Sequence, residues 1–77
     1  MARDAATGEL FLEPPGRSGL KELVALADES GARWSLPGFF TLPDGTTVFH
    51  VVVDADDEFM LAALFTGGGW SCHPRPT

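Results

Sequence analysis

The chain has 77 residues, of which 44% are hydrophobic, and this is enough for one small domain and no more. Its net charge of -6 disfavours a nucleic-acid partner, because phosphate neutralisation needs Lys and Arg. A single cysteine excludes an internal disulfide, and no apolar run reaches the ~20 residues that cross a bilayer. We therefore predict a cytoplasmic protein with no membrane partner. Residues that are encoded by AT-rich codons are scarce, which indicates a GC-rich genome, bacterial or phage.

The first predicted elements are a strand and an amphipathic helix, which follow a flexible lead at 1–8. The strand covers 9–13, because apolar and polar residues alternate there, and two prolines end it. The helix covers 18–30, with Ser18 as its N-cap and Gly31 as its C-cap. Its apolar stripe consists of Leu20, Leu23, Val24 and Ala27.

A β-hairpin is predicted next. Its first strand, 33–42, contains the pair Pro37-Gly38, which indicates an edge strand with a bulge or bend. Residues 43–46 have the composition of a tight turn. The strand 47–54 is rich in β-branched and aromatic residues on both faces, which is typical of a central strand.

The second helix is predicted at 56–66. Its predicted apolar face consists of Phe59, Met60, Ala63 and Leu64. Three glycines end this helix, and a short last strand at 70–73 precedes a tail at 74–77. The sequence therefore predicts one α+β domain over 9–73.

The element order β-α-β-β-α-β predicts a ferredoxin-like sandwich, in which a four-stranded antiparallel sheet carries two helices on one face. The first and third strands would lie at its centre. On the face away from the helices we expect an exposed patch that contains Phe11, Val48 and Val52, with His50 beside it. Such a patch indicates either a homodimer, formed through this face or through sheet edges, or a ligand pocket.

The turn before the first helix reads Gly16-Arg17-Ser18-Gly19-Leu20. It resembles the Asp-Arg-Pro-Gly-Leu loop of the ACT-domain family of regulatory modules that sense small molecules, with Gly in place of the acid and Ser in place of Pro. The end of the first helix and the third strand also resemble the family pattern. The resemblance implies the same β-α-β-β-α-β fold and an amino-acid-like ligand.

The predicted ligand site is this same turn. Backbone N–H groups at the start of a helix and the cation of Arg17 would attract a ligand carboxylate. We therefore assign ligand contacts to Gly16, Arg17, Ser18 and Gly19. His50 is the candidate residue for a pocket on the open face of the sheet.

No metal, cofactor or catalytic residue is predicted. The acids that open the second helix lack the spacing of a calcium loop, and the histidines and the cysteine lack the spacing of a zinc site. Cys72 and His73 are neighbours in a strand, so their side chains point to opposite faces and form no nucleophile–base pair. Catalysis is left open, with a non-enzyme favoured.

The first predicted function is a small non-catalytic regulatory module that binds an amino-acid-like molecule as a homodimer. The first alternative is an acidic protein-interaction module, such as a small bacterial or phage inhibitor or adaptor. The second alternative is a dimeric α+β barrel enzyme, in which His50 would be the acid–base group. A concave pocket beside the turn favours the ligand, whereas a flat patch rimmed by acids favours a protein partner.

Overall fold

Six elements follow one another in the predicted order. The computed structural model of the chain describes residues 6–16 and 19–75. Its elements are β1 (Thr7–Glu13), α1 (Leu20–Ser30), β2 (Trp34–Thr41), β3 (Thr47–Asp54), α2 (Ala55–Gly67) and β4 (Ser71–His73). Both helices begin and end within two residues of their predicted bounds.

All four strands pair antiparallel, in the order β2-β3-β1-β4. The two central strands are β1 and β3, as the apolar composition of β3 predicts. Their register places Leu10 opposite Val51 and Phe11 opposite His50. The predicted hairpin joins β2 to β3. The chain is therefore an α+β fold with the strand order of a ferredoxin-like sandwich, and the predicted fold class is confirmed.

The hydrophobic core lies between one face of the sheet and the two helices. Leu10 and Leu12 of β1 are buried there, because alternate residues of a strand share one face. Phe65 of α2 and Trp70 pack edge to face with ring centroids 5.1 Å apart, which ties the end of α2 to the turn before β4. The other core residues are Val51, Val53, Leu23, Ala27 and Leu61.

The end of α1 lies where its sequence predicts. Gly31 adopts a left-handed φ of 77°, and its N–H donates to the carbonyl of Asp28. At the start of the helix, the N–H of Gly19 donates to the carboxylate of Glu22 over 3.3 Å. Ser18, the predicted N-cap, lies outside the described residues.

The buried face of α2 differs from the predicted one. Leu61 and Phe65 are fully buried, whereas Phe59 is 85% exposed and Met60 is 41% exposed. The helix is apolar on nearly every side, so the spacing of its apolar residues does not select a face. Its rotation follows from its start, because Asp54 is both the last residue of β3 and the N-cap of α2.

β2 is an edge strand with an irregular middle. Its register against β3 shifts between Ser35 and Gly38, which is the site of the predicted bulge. Pro37 lies within the shift, and a proline has no N–H to donate to a strand ladder. β2 therefore pairs with β3 in two stretches, with Trp34 and Ser35 on one side of the shift and Gly38 to Thr41 on the other.

Candidate functional site

The predicted ligand turn is described only in part. Gly16 is exposed and has a left-handed φ of 55°, and Gly19 caps α1. Arg17 and Ser18 lie outside the described residues. Gly16 borders a cavity of about 340 Å³ that is also lined by Glu13, Pro14, Gly45, Thr46 and Thr47.

Two carboxylates stand near the place where a ligand carboxylate was expected. Glu22 accepts the N–H of Gly19, so an acidic side chain already occupies one donor of the helix start. Glu13 lines the cavity. Ligand contact by the four predicted residues stays a prediction, because Arg17 and Ser18 are outside the described residues.

The hairpin turn forms the other side of this cavity. The N–H of Leu42 donates to the carbonyl of Thr46 over 2.8 Å, and Gly45 has a left-handed φ of 91°. These features define a three-residue loop with a bulge at its glycine. The carboxylate of Asp44 accepts the N–H of Thr46 over 2.9 Å, and this hydrogen bond lowers the pKa of Asp44.

A row of aligned residues crosses the open face of the sheet, which is the face away from the helices. In order across the sheet they are Gly38, His50, Phe11 and His73. The rings of Phe11 and His50 stack with centroids 4.8 Å apart and planes 15° apart. The ring of Phe40 lies 5.8 Å from that of Phe11. We call Phe11, Phe40 and His50 the aromatic cluster.

The three residues that we expected to form an exposed patch on this face are buried or half-buried. Phe11 is only 4% exposed, because the guanidinium of Arg75 lies 5.5 Å from its ring centroid and the rest of the aromatic cluster flanks it. Val48 is fully buried, and Val52 is half-buried. The exposed member of the cluster is Phe40, at the edge strand.

Three side-chain pairs, each with a glutamate, border the aromatic cluster. Nε2 of His50 lies 3.3 Å from Oε2 of Glu9, and Nε2 of His73 lies 2.7 Å from Oε1 of Glu13. Arg75 pairs with the other carboxylate oxygen of Glu9. Such partly exposed pairs stabilise a fold little, so the main effect of the two histidine contacts is to orient the imidazole rings.

His50 lines neither the cavity beside Gly16 nor a second cavity of about 250 Å³ between Trp34 and Asp54. Its ring instead stacks on the aromatic cluster and pairs with Glu9. A ligand pocket at His50 therefore stays a prediction.

Cys72 and His73 point to opposite faces of β4. Cys72 is paired with Leu12, which faces the helices, whereas His73 lies on the open face. Burial raises the pKa of the Cys72 thiol, so less of the nucleophilic thiolate is present at neutral pH. Within residues 6–16 and 19–75, no group of three His, Cys, Asp or Glu side chains is placed to hold a metal ion.

Sequence reasoning missed the contribution of Arg75, which it assigned to a tail at 74–77. β4 runs antiparallel to β1, with His73 opposite Phe11. Two residues further along, the chain brings Arg75 to the level of Glu9, with which it pairs. Extending the predicted strand pairing by two residues would have found this contact.

Comparison with known proteins shows a similarity to part of a DNA topoisomerase. The A subunit of DNA topoisomerase 4 from Escherichia coli K12 is 35% identical to the chain over 63 residues, which are 82% of the chain. The same subunit of Shigella flexneri and of Salmonella typhimurium has the same identity over the same length. The chain spans about 8% of the length of these relatives. No protein-family model and no solved structure matches it.

This similarity corrects the predicted function. The matching proteins are subunits of a DNA topoisomerase, which points to something other than a small-molecule regulatory module, so the prediction of a regulatory module for an amino-acid-like ligand is wrong. It indicates neither of the alternatives, which were an acidic inhibitor or adaptor and a dimeric barrel enzyme.

The predictions about nucleic-acid, homodimer and membrane partners have a different outcome. The similarity weighs against the predicted exclusion of nucleic acid, which stays a prediction, as does the homodimer. Within the described ranges, no helix is long and apolar enough to cross a membrane.

Proposed function

We propose that the chain is a non-catalytic accessory module of an enzyme that changes DNA topology. Its role would be that of the matching segment in the A subunit of DNA topoisomerase 4. The observation that carries this proposal is the 35% identity over 82% of the chain. A match of that length extends over most of the elements from β1 to β4. It therefore concerns a folded unit rather than a short motif.

The state of the reactive side chains supports a role in binding rather than in catalysis. His50 and His73 are each held by a glutamate, and the ring of His50 is stacked in the aromatic cluster. The thiol of Cys72 has a raised pKa, which disfavours its nucleophilic form. Cys72 and His73 also lie on opposite faces of β4, so this histidine does not stand beside the thiol as a base.

The test is to replace the matching segment of the E. coli protein with this chain and to measure the interconversion of plasmid topoisomers by the assembled enzyme. We expect the chimera to be clearly more active than a topoisomerase from which the segment has been deleted. The matched control carries Leu12→Asp, which places an unpaired charge in the core and should remove the gain. A chimera that is folded and assembled, yet no more active than the deletion, would refute the proposal.

A further inference from the structure

The two edges of the sheet are unequal. β4 forms one edge with three residues, Ser71–His73, and is followed by Pro74. β2 forms the other edge with eight residues. Edge strands attract further strands unless charges, prolines or short length protect them. β2 contains Pro37 and a register shift in its middle, which leaves Phe39–Thr41 as its unprotected segment.

The backbone at the end of β2 has hydrogen-bonding groups directed away from the sheet. Leu42 donates to Thr46 across the hairpin, and in an antiparallel pair the bonded and non-bonded positions alternate. Counting back from this bond, Phe40 directs its N–H and C=O towards β3, while Phe39 and Thr41 direct theirs outwards. Among the described residues, no strand lies beside β2 on that side.

The side chains of this segment are exposed, apolar and uncharged. Phe39 is 64% exposed on the helix side of the sheet, and Phe40 is 37% exposed on the open face. No charged residue lies between Gly38 and Leu42, although the whole chain has a net charge of -6. Charged side chains are the usual protection of an edge strand, and this segment has none.

We propose that Phe39–Thr41 of β2 pairs antiparallel with the same segment of a second copy of the chain, in a two-fold symmetric dimer centred on Phe40. In this register Phe39 of each copy lies opposite Thr41 of the other, and their outward groups form four backbone hydrogen bonds. The two copies of Phe40 then form a non-bonded pair, whose side chains approach most closely.

A second copy fits this edge for three reasons. The segment is self-complementary about Phe40, so one pairing satisfies the outward groups of both copies. Each copy has a net charge of -6, but the paired segment contains no charged residue, so the pairing brings no like charges together. The paired segment also has defined ends, because Pro37 of one copy would lie opposite Pro43 of the other, and neither proline has an N–H to donate.

The dimer would join the two aromatic clusters into one row across an eight-stranded sheet. Phe40 lies 5.8 Å from Phe11 within one copy, and its exposed side is the side that the partner would cover. This inference gives the predicted homodimer a defined edge, and it does not depend on the proposed role in DNA topology.

The experiment is sedimentation equilibrium of the full chain across the micromolar range. We expect twice the monomer mass for the wild type. Phe40→Lys places two like charges side by side, and Thr41→Pro removes an outward N–H that β3 does not use, so each should raise the dimer dissociation constant at least ~10-fold. Phe59→Lys, an equally drastic change at an exposed site on α2, is the matched control and should remain dimeric.

Two outcomes would overturn the inference. One is a wild-type chain that stays monomeric up to high micromolar concentration. The other is a dimer that survives Phe40→Lys and Thr41→Pro but dissociates in Phe59→Lys, which would move the interface to α2. Far-ultraviolet circular dichroism of each variant verifies that the monomer is folded, so that a loss of dimer reports the edge.

Discussion

At the scale of single residues, Gly8 shows how closely α2 approaches the sheet. Gly8 is buried at the start of β1, opposite Val53 of β3. A Cβ atom at this position would overlap the side chain of Glu58 in the first turn of α2. The missing side chain of Gly8 therefore makes room for Glu58.

Gly8→Ala should lower the free energy of unfolding by about 1 kcal/mol, because the added methyl group forces the side chain of Glu58 to move. Glu58→Ala, which lies at a half-buried helical site, should change stability by only about 0.5 kcal/mol. The double variant should then regain part of the loss, since the overlapping side chain is gone. Urea denaturation of the four proteins measures this coupling, and strictly additive losses would contradict it.

At the scale of elements, α2 is the helix whose orientation its own sequence does not determine. Its buried side contains Leu61 and Phe65, and its outer side contains Phe59 and Met60. Leu61→Ala should therefore cost about 2–5 kcal/mol, as buried Leu-to-Ala changes do. Phe59→Ala should change stability by no more than about 0.5 kcal/mol, because the side chain is solvent-exposed. Thermal or urea unfolding measures both changes in stability. A larger loss for Phe59→Ala than for Leu61→Ala would instead support the face predicted from sequence.

The strands were predictable because their patterns are local. Alternation in β1 placed Leu10 and Leu12 on the core side, and the apolar residues on both faces of β3 predicted a central strand. Gly31 ended α1 through its left-handed backbone. Proline and glycine likewise predicted the bulge in β2.

Features that depend on tertiary contacts were harder to predict. The burial of Phe11 depends on Arg75, which is remote in sequence and reaches it only through the pairing of β4 with β1. The face of α2 depends on how the helix leaves β3. For the candidate site, the alternation along β3 predicted the open-face position of His50, but not the carboxylate of Glu9 beside it. The ligand turn stays a prediction, and the sequence did not indicate that Glu13 would line the cavity beside Gly16.

At the scale of the whole molecule, the acidic side chains of the helices lie on one side of the sheet, and the ion pair of Arg75 and Glu9 lies on the other. The helices carry many acids, and Lys21 is their single basic residue. These acids are Glu22, Asp28, Glu29, Asp56, Asp57 and Glu58. On the open face, Arg75 is paired with Glu9 and is therefore partly neutralised. Within residues 6–16 and 19–75, neither side of the sheet has the unpaired row of cations that the DNA backbone requires.

We therefore expect the isolated chain to bind naked duplex DNA with no measurable affinity at physiological salt, even if it serves a DNA topoisomerase. Fluorescence anisotropy with a labelled duplex, at low and at physiological ionic strength, measures this. Arg75→Glu should leave the signal unchanged, because there is no binding to lose. A micromolar affinity that weakens steeply with salt would instead place DNA among the direct partners.

The position of β1 between β3 and β4 also dictates the order in which the sheet is able to assemble during synthesis. Of the six elements, β1 leaves the ribosome first, yet its neighbours are Thr47–Asp54 and Ser71–His73. The β2–β3 hairpin is local and is complete before β4 has been made, so it is the first part of the sheet that is able to form. Leu10 and Leu12, which become core residues, therefore lack their partners in the sheet until β3 has been synthesised.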